Sequence, residues 1–212
     1  MKLSVIIPMY NSCDNVVMIL DKLRHQMGDK DVQIIVVNDG SEEDASVVER
    51  VCAEYGYEYH LQENGGEAAA RNTGKDAVKG DYFTFIDADD DIENNYFDVI
   101  FEEINDGGYD FITHKWRYVN GDLGGQHGMP LPNYNVWSNV YKTSSWQYLP
   151  FDTDIVYTCD TDWLQRGYKE TMKRLDTCHI VNIYHVDNPN SLTQRWSRGE
   201  IPVRKSDIKT NS

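Results

Sequence analysis

The segment Asp87-Ala88-Asp89-Asp90-Asp91 places carboxylates directly after the apolar run Tyr82-Phe83-Thr84-Phe85-Ile86. Like charges this close repel one another, and a divalent cation relieves the repulsion. An oxygen-rich donor set of this kind suits Mg2+ or Mn2+ sharing its shell with substrate phosphates. The chemistry expected there is stabilisation of a departing phosphate group. Helix capping is a plainer account of Asp91, which would sit at the positive end of a helix starting near Ile92. Capping explains one carboxylate, however, and not the cluster.

Two other polar segments follow apolar runs in the same manner. Pro8-Met9-Tyr10-Asn11 closes the run Leu3-Ser4-Val5-Ile6-Ile7, and Asn38-Asp39-Gly40-Ser41 closes Gln33-Ile34-Ile35-Val36-Val37. Taken singly, each is explained without function. Asn, Asp, Gly and Ser are turn formers, Tyr10 can pack as a surface aromatic, and Arg71 can pair with Glu67 one helical turn earlier.

Such segments act together only on a scaffold that gathers strand ends. Through the first third, short β-branched runs alternate with longer amphipathic ones at residues 3–7, 15–26, 32–37, 45–55 and 57–61, a βαβαβ rhythm. Continuous apolar strands suit a mostly parallel sheet covered by helices on both faces, and such sheets bind ligands beyond the carboxyl ends of their strands. The expected fold is therefore α/β. Asn64-Gly65-Gly66 breaks the chain before a helix expected over 67–78, and a further helix is expected over 92–104. Residues 106–135 read as strands with a long loop near 121–133, followed by a helix over 160–174 and a strand over 180–185. From Arg195 onward the chain carries five basic and two acidic residues, with Trp196 among Arg195, Arg198, Arg204, Lys205 and Lys209. That tail is expected to be solvated.

A length of 212 residues fits one domain. The formal charge of −15 makes nucleic acid a poor partner. No apolar run approaches the roughly 18 to 20 residues needed to cross a bilayer, and no signal-peptide pattern follows Met1, so a cytoplasmic protein with at most peripheral membrane contact is expected. Cys13, Cys52, Cys159 and Cys178 form no Cys-x-x-Cys pair and are expected to be reduced.

In order and in combination, four blocks resemble the family 2 glycosyltransferases of the GT-A fold. They are Leu3-Ser4-Val5-Ile6-Ile7-Pro8-Met9-Tyr10-Asn11, then Ile35-Val36-Val37-Asn38-Asp39-Gly40-Ser41, then Asn64-Gly65-Gly66 with Ala70-Arg71-Asn72-Thr73-Gly74, and Gly80-Asp81-Tyr82 leading to Phe85-Ile86-Asp87-Ala88-Asp89-Asp90. The resemblance implies a single domain with a nucleotide-sugar-binding half over 1–95, an acceptor-binding half over 96–195 and the basic tail over 196–212. It implies that Pro8, Tyr10 and Asn11 support the base, with Tyr10 stacked on uracil. Asp39 would accept from the pyrimidine N–H, and Gly65 and Arg71 would help hold the donor. Asp87-Ala88-Asp89 would be the Asp-x-Asp motif, with Asp89 on Mn2+ or Mg2+ and Asp87 on the ribose or the metal.

The second half resembles the family more loosely. Trp137 and Tyr141 in Asn135-Val136-Trp137-Ser138-Asn139-Val140-Tyr141-Lys142 look like its acceptor-side aromatics, although a packed strand gives the same pattern. Cys159-Asp160-Thr161-Asp162-Trp163 looks like its Glu-Asp-x-x-Phe block, which implies Asp160 as catalytic base with Asp162 as second choice; the family's Glu is here Cys159. His185, in Tyr184-His185-Val186-Asp187-Asn188-Pro189-Asn190-Ser191-Leu192-Thr193, stands where relatives place a metal or diphosphate ligand. The implied activity is inverting transfer of a sugar from a UDP-sugar to a hydroxyl of a glycan or glycoconjugate acceptor. A nucleotide-sugar-binding domain that has lost catalysis is the alternative from another class, with Cys159 as its support. A haloacid-dehalogenase-type phosphohydrolase is the weaker one, because it needs its Asp-x-Asp after the first strand.

Overall fold

A computed structural model describes residues 1–124, 135–185, 188, 189 and 191–207. Most of the expected loop at 121–133 lies outside the described residues, as do Val186, Asp187, Asn190 and Lys209. The core of the sheet is built by β1 (Leu3–Met9), β2 (Val32–Asn38), β3 (Glu58–Leu61) and β4 (Tyr82–Phe85), parallel and ordered β3-β2-β1-β4. Side chains alternate across a strand, so β1 feeds two cores. Leu3, Val5 and Ile7 face α1 (Cys13–Met27), α2 (Ser46–Tyr55) and α4 (Tyr96–Gly107), whereas Ile6 faces α3 (Glu67–Asp76) and α6 (Cys159–Gly167). This two-sided burial is why the strands read as unbroken apolar runs. The α/β class, with helices on both faces of one sheet, is the one expected.

The sheet continues past β4 through β8 (Asn139–Lys142), which is antiparallel to β4, then β6 (Phe111–Tyr118), β9 (Arg174–Tyr184) and the two-residue β5 (Asp91–Ile92), with β7 (Leu123–Gly124) on β6. Among the described residues, no helix is long and apolar enough to cross a membrane. Cys13, Cys52 and Cys159 are buried free thiols and Cys178 is an exposed one.

Four expectations need correction. Asp91 caps no helix: it lies in β5, paired antiparallel with β9 and bridged to Lys22, and α4 begins only at Tyr96. Helix α6 ends at Gly167 rather than near 174, and a side chain at Gly167 would stand 2.3 Å from Trp146. Strand β9 runs for 11 residues because its polar first half pairs with β6 and not only its apolar end. The described part of the tail, up to Asp207, is folded, although most of its side chains stay exposed to solvent as expected. Within it α7 (Leu192–Ser197) precedes a segment in which Arg204 pairs with Asp152 at 3.2 Å and bridges to Ile155, while Trp196 stacks on Tyr157 at 4.7 Å.

Helix α3 buries an unusual cation. Lys75 is 1% exposed, donates to the Leu149 carbonyl, and has its ammonium 4.9 Å from the Trp163 ring and 5.4 Å from that of Phe151. Burial pushes its pKa down from 10.5 to about 8, with Asp76 opposing the fall and Arg166 adding to it. Between those two values the unfolded chain holds a proton that the folded chain has released, so stability should rise with pH across that window. Lys75→Met is expected to remove this rise and to stabilise the protein by about 1–3 kcal/mol at pH 7, as measured by urea unfolding across pH 7 to 11; an unchanged pH profile would contradict the account.

Candidate active site

The loops after β1, β2 and β4 meet at one edge of the sheet. Pro8 is buried at the end of β1, opposite Val37, and the chain then turns through Asn11 at φ 50°, a left-handed geometry that Asn tolerates better than most residues. The Asn11 side-chain oxygen accepts from the Glu42 N–H at 2.8 Å, and its own N–H donates to Ser41 at 3.0 Å. The two strand ends are thus tied together. Tyr10, on the outer side of this turn, is 41% exposed and offers a free ring face.

Asp39 is 3% exposed and organises the next loop. Its Oδ1 accepts from Gln62 at 2.7 Å and from the Gly65 N–H at 2.9 Å, and its Oδ2 accepts from the Gly66 N–H at 2.8 Å. A carboxylate has about four acceptor positions, so one on Oδ2 is left for a ligand N–H. Gly65 must be small, since a Cβ there would stand 2.7 Å from that of Ala69.

Arg71 joins these loops to the second half. It is 1% exposed, and its Nη2 donates to Glu67 at 2.7 Å and to Asp87 at 2.9 Å. Its Nη1 donates to the Cys159 sulfur at 3.3 Å, and the cation lies 5.8 Å from the Phe85 ring and 5.7 Å from that of Phe151. Burial works against this charge, but Glu67 and Asp87 outweigh it and hold the guanidinium firmly protonated. Burial pushes Glu67 up to about 7, with Arg71 opposing and Asp87 and Asp160 adding to the rise.

Asp160, in the first turn of α6, belongs to the same cluster. Burial raises its pKa, Arg71 opposes the rise and Asp87 adds to it. Asp162 points elsewhere and accepts from Arg166 at 2.7 Å, one turn on. Of the two candidates, only Asp160 is brought into the Arg71 cluster.

The acidic segment divides by side. Asp87 faces Arg71 and Ala88 is buried beneath it. Asp89 accepts from Asn188 at 2.9 Å, and its pKa is raised by burial and by Asp87, with His185 working the other way. Asp90 is 5% exposed: Oδ1 accepts from the His185 main-chain N–H at 3.1 Å, Oδ2 has no partner among the described residues, and burial raises its pKa strongly. A cavity of about 130 Å³ lies here, between Asp89, Asp90, His185 and Lys22 of α1. Among the described residues, no group of three or more His, Cys, Asp or Glu is arranged to hold a metal ion.

The two acceptor-side aromatics are core residues. Tyr141 is fully buried and its hydroxyl donates to the Val136 carbonyl at 3.2 Å. Trp137, 6% exposed, lies flat against Tyr184 at 5.5 Å and edge-on to Trp116 at 5.2 Å. Neither presents a face to an acceptor. Residues that the sequence did not single out for the site are Gln62, Asn188 and Lys205, the last donating to the Gly65 carbonyl at 2.8 Å from the folded tail. Glu67 was visible only as a helical neighbour of Arg71, and no sequence signal placed Cys159 against both.

Comparison with known proteins matches residues 4–161 to the family described as Glycosyl transferase family 2. Glycosyltransferase GlyA of Streptococcus pneumoniae serotype 4 is 33% identical over 156 residues, which are 67% of this chain and 22% of GlyA. The structure of S. aureus TarS 1-349 in complex with UDP-GlcNAc superimposes with a TM-score of 0.74 at 20% identity, over 89% of this chain and 59% of that one. Mannosyltransferase PcManGT from Pyrobaculum calidifontis, in complex with GDP-Man and Mn2+, gives 0.70 at 17% identity over 92% and 60%. This chain therefore spans less than two thirds of each, and the two structures show that its fold is of the GT-A type.

Asp39→Asn is expected to leave one of the two glycine amides facing an NH2 group instead of an acceptor. A loss of about 1–3 kcal/mol in urea unfolding, with faster hydrogen exchange at Gly65 and Gly66, is the expected result; unchanged exchange at both would overturn the clamp.

Proposed function

The chain belongs to Glycosyl transferase family 2, and on that premise we propose that it moves a sugar from a UDP-sugar to a hydroxyl of a glycan or other glycoconjugate acceptor, with inversion at the anomeric carbon. The observation that carries this reading is the buried cluster in which one guanidinium, Arg71, joins Asp87 at the end of β4 to the turn that bears Asp160. It links a donor-side carboxylate to a candidate base.

In this reading the uracil stacks on the exposed ring of Tyr10, carried on the turn of Pro8 and Asn11, and its N–H donates to the open position of Asp39. Gly65 lets the backbone approach the donor, and Asp87, with Ala88 behind it, receives the ribose. Asp89 and His185 would hold Mn2+ or Mg2+. The side chains are of the right type: Asp89 and Asp90 stand close enough that each carboxylate works against ionisation of its neighbours, and Asp90 Oδ2 has no partner among the described residues. A hard cation that keeps few protein ligands and takes phosphate oxygens for the rest suits such a site. When bound, it supplies charge stabilisation to the departing diphosphate.

The acceptor oxygen bonds to the anomeric carbon as the bond from that carbon to the diphosphate oxygen breaks, and the hydroxyl proton passes to the Asp160 carboxylate. A raised pKa makes this carboxylate a better proton acceptor than an exposed one, whereas Asp162 is turned toward Arg166 in an ion pair at 2.7 Å. A phosphohydrolase reading has no support left, since the acidic pair follows β4 and not β1. Cys159 remains the one feature favouring a binding-only domain, and turnover separates the two.

Titration of UDP into the protein by calorimetry is expected to give binding that strengthens with Mn2+. Asp89→Ala should lose the metal-dependent part. Asp160→Asn should keep binding while UDP release from UDP-GlcNAc with an acceptor mixture falls by about 10²–10⁴-fold; equal loss of binding in both variants would sink the assignment of roles.

A further inference from the structure

Arg71 faces more than the two carboxylates it binds directly. Its Nη1 donates to the sulfur of Cys159 at 3.3 Å, and the Cys159 thiol in turn lies 3.6 Å from Glu67 Oε2, as donor. Glu67 Oε1 meanwhile binds Arg71 Nη2 at 2.7 Å. Glu67, Arg71 and Cys159 therefore close a ring of three contacts. The residue after Cys159 is Asp160, so whatever fixes the thiol fixes the start of α6 and the carboxylate that it carries. The other end of the guanidinium fixes Asp87.

The charge balance singles out Glu67 further. Arg71 is buried, Asp87 is shared between the guanidinium and the donor in the reading above, and Asp160 is to take a proton, so a further carboxylate is needed that stays with the guanidinium. Position 159, directly against Nη1, carries a thiol that supplies no charge, because burial raises its pKa and keeps it protonated. Glu67 reaches the same place from α3 and, with a pKa pushed up to about 7, supplies its charge above that pH.

We propose that Glu67 is a positioning residue that supplies, from α3, the carboxylate that position 159 lacks, holding Arg71 and through it Asp87 and Asp160 in the arrangement used for transfer. This role rests on the sugar-transfer reading given above. The ring also makes position 159 a second place from which the same charge can be delivered. A glutamate there would meet the guanidinium from the side of Nη1.

The test compares Glu67→Gln, Glu67→Ala, Cys159→Glu and the double variant Glu67→Ala/Cys159→Glu, using urea unfolding, calorimetric binding of UDP with Mn2+, and UDP release from UDP-GlcNAc. Glu67→Gln keeps the volume but turns one of two acceptors, toward Arg71 or toward Cys159, into an NH2 group, so it should unfold at a lower urea concentration than the native protein yet remain folded and bind UDP, while kcat falls by about tenfold or more with KM much less affected. The double variant should recover most of what Glu67→Ala loses, in both kcat and stability. Native kcat in Glu67→Gln, or a double variant no better than Glu67→Ala, would overturn the proposal. If the native protein neither binds UDP nor releases it, the donor reading fails by itself. The unfolding cycle then still decides the pairing: coupled effects of Glu67→Ala and Cys159→Glu uphold it, and additive ones defeat it.

Discussion

A guanidinium that is almost fully buried sets the conditions for the rest of the site. Taking a charge of that kind out of water is costly unless hydrogen bonds and opposite charge surround it, so Arg71 cannot be buried by one element alone. Glu67 comes from its own helix, Asp87 from the end of β4, Cys159 from α6 and the rings of Phe85 and Phe151 from the sheet and the loop before α6. Each donor of charge or of ring face must arrive for any of them to be stable. The two halves of the chain are consequently registered to one another at the proposed site.

The sheet makes that meeting possible. Parallel strands β1, β2 and β4 deliver Tyr10, Asp39 and Asp87 to the same edge, and the antiparallel β8 then reverses direction beside β4. Behind β4 an aromatic layer forms in which Phe83 stacks on Tyr141 at 5.3 Å and Phe151 on Trp163 at 4.6 Å. This layer carries α6, and with it Asp160, on buried, stacked rings. A carboxylate held by such a layer has little freedom to drift, as the proposed role of Asp160 requires.

Much of this was legible in the residues. The runs that became β1, β2 and β4 are β-branched, apolar and bounded by turn formers, and helix α3 starts where Gly66 breaks the chain. The i, i+4 spacing of Glu67 and Arg71 announced their ion pair. What the sequence hid depends on distant partners. Tyr141 looked like an acceptor-side ring because its segment resembles the family's, and the partners that bury it, the Val136 carbonyl and the rings of Phe83, Trp146 and Trp163, come largely from other elements. The tail's contacts were hidden because a count of basic residues does not reveal that Asp152 and Asp154 stand within reach of Arg204. The first half of β9 was invisible because its polar residues satisfy pairing with β6 instead of filling a core.

The cysteines divide sharply by environment. Cys13 and Cys52 have their thiols pushed up to about 12 and about 11 by burial, and Cys159 is raised as well, whereas Cys178 stands exposed on β9. Thiol reagents attack the thiolate, so those three are shielded twice, by access and by protonation. The unaltered chain thus carries its own selective attachment point. A maleimide dye or spin label directed to Cys178 would report on the edge of the sheet while leaving the thiol beside Arg71 untouched, and distances to a ligand could be followed without removing a single native cysteine.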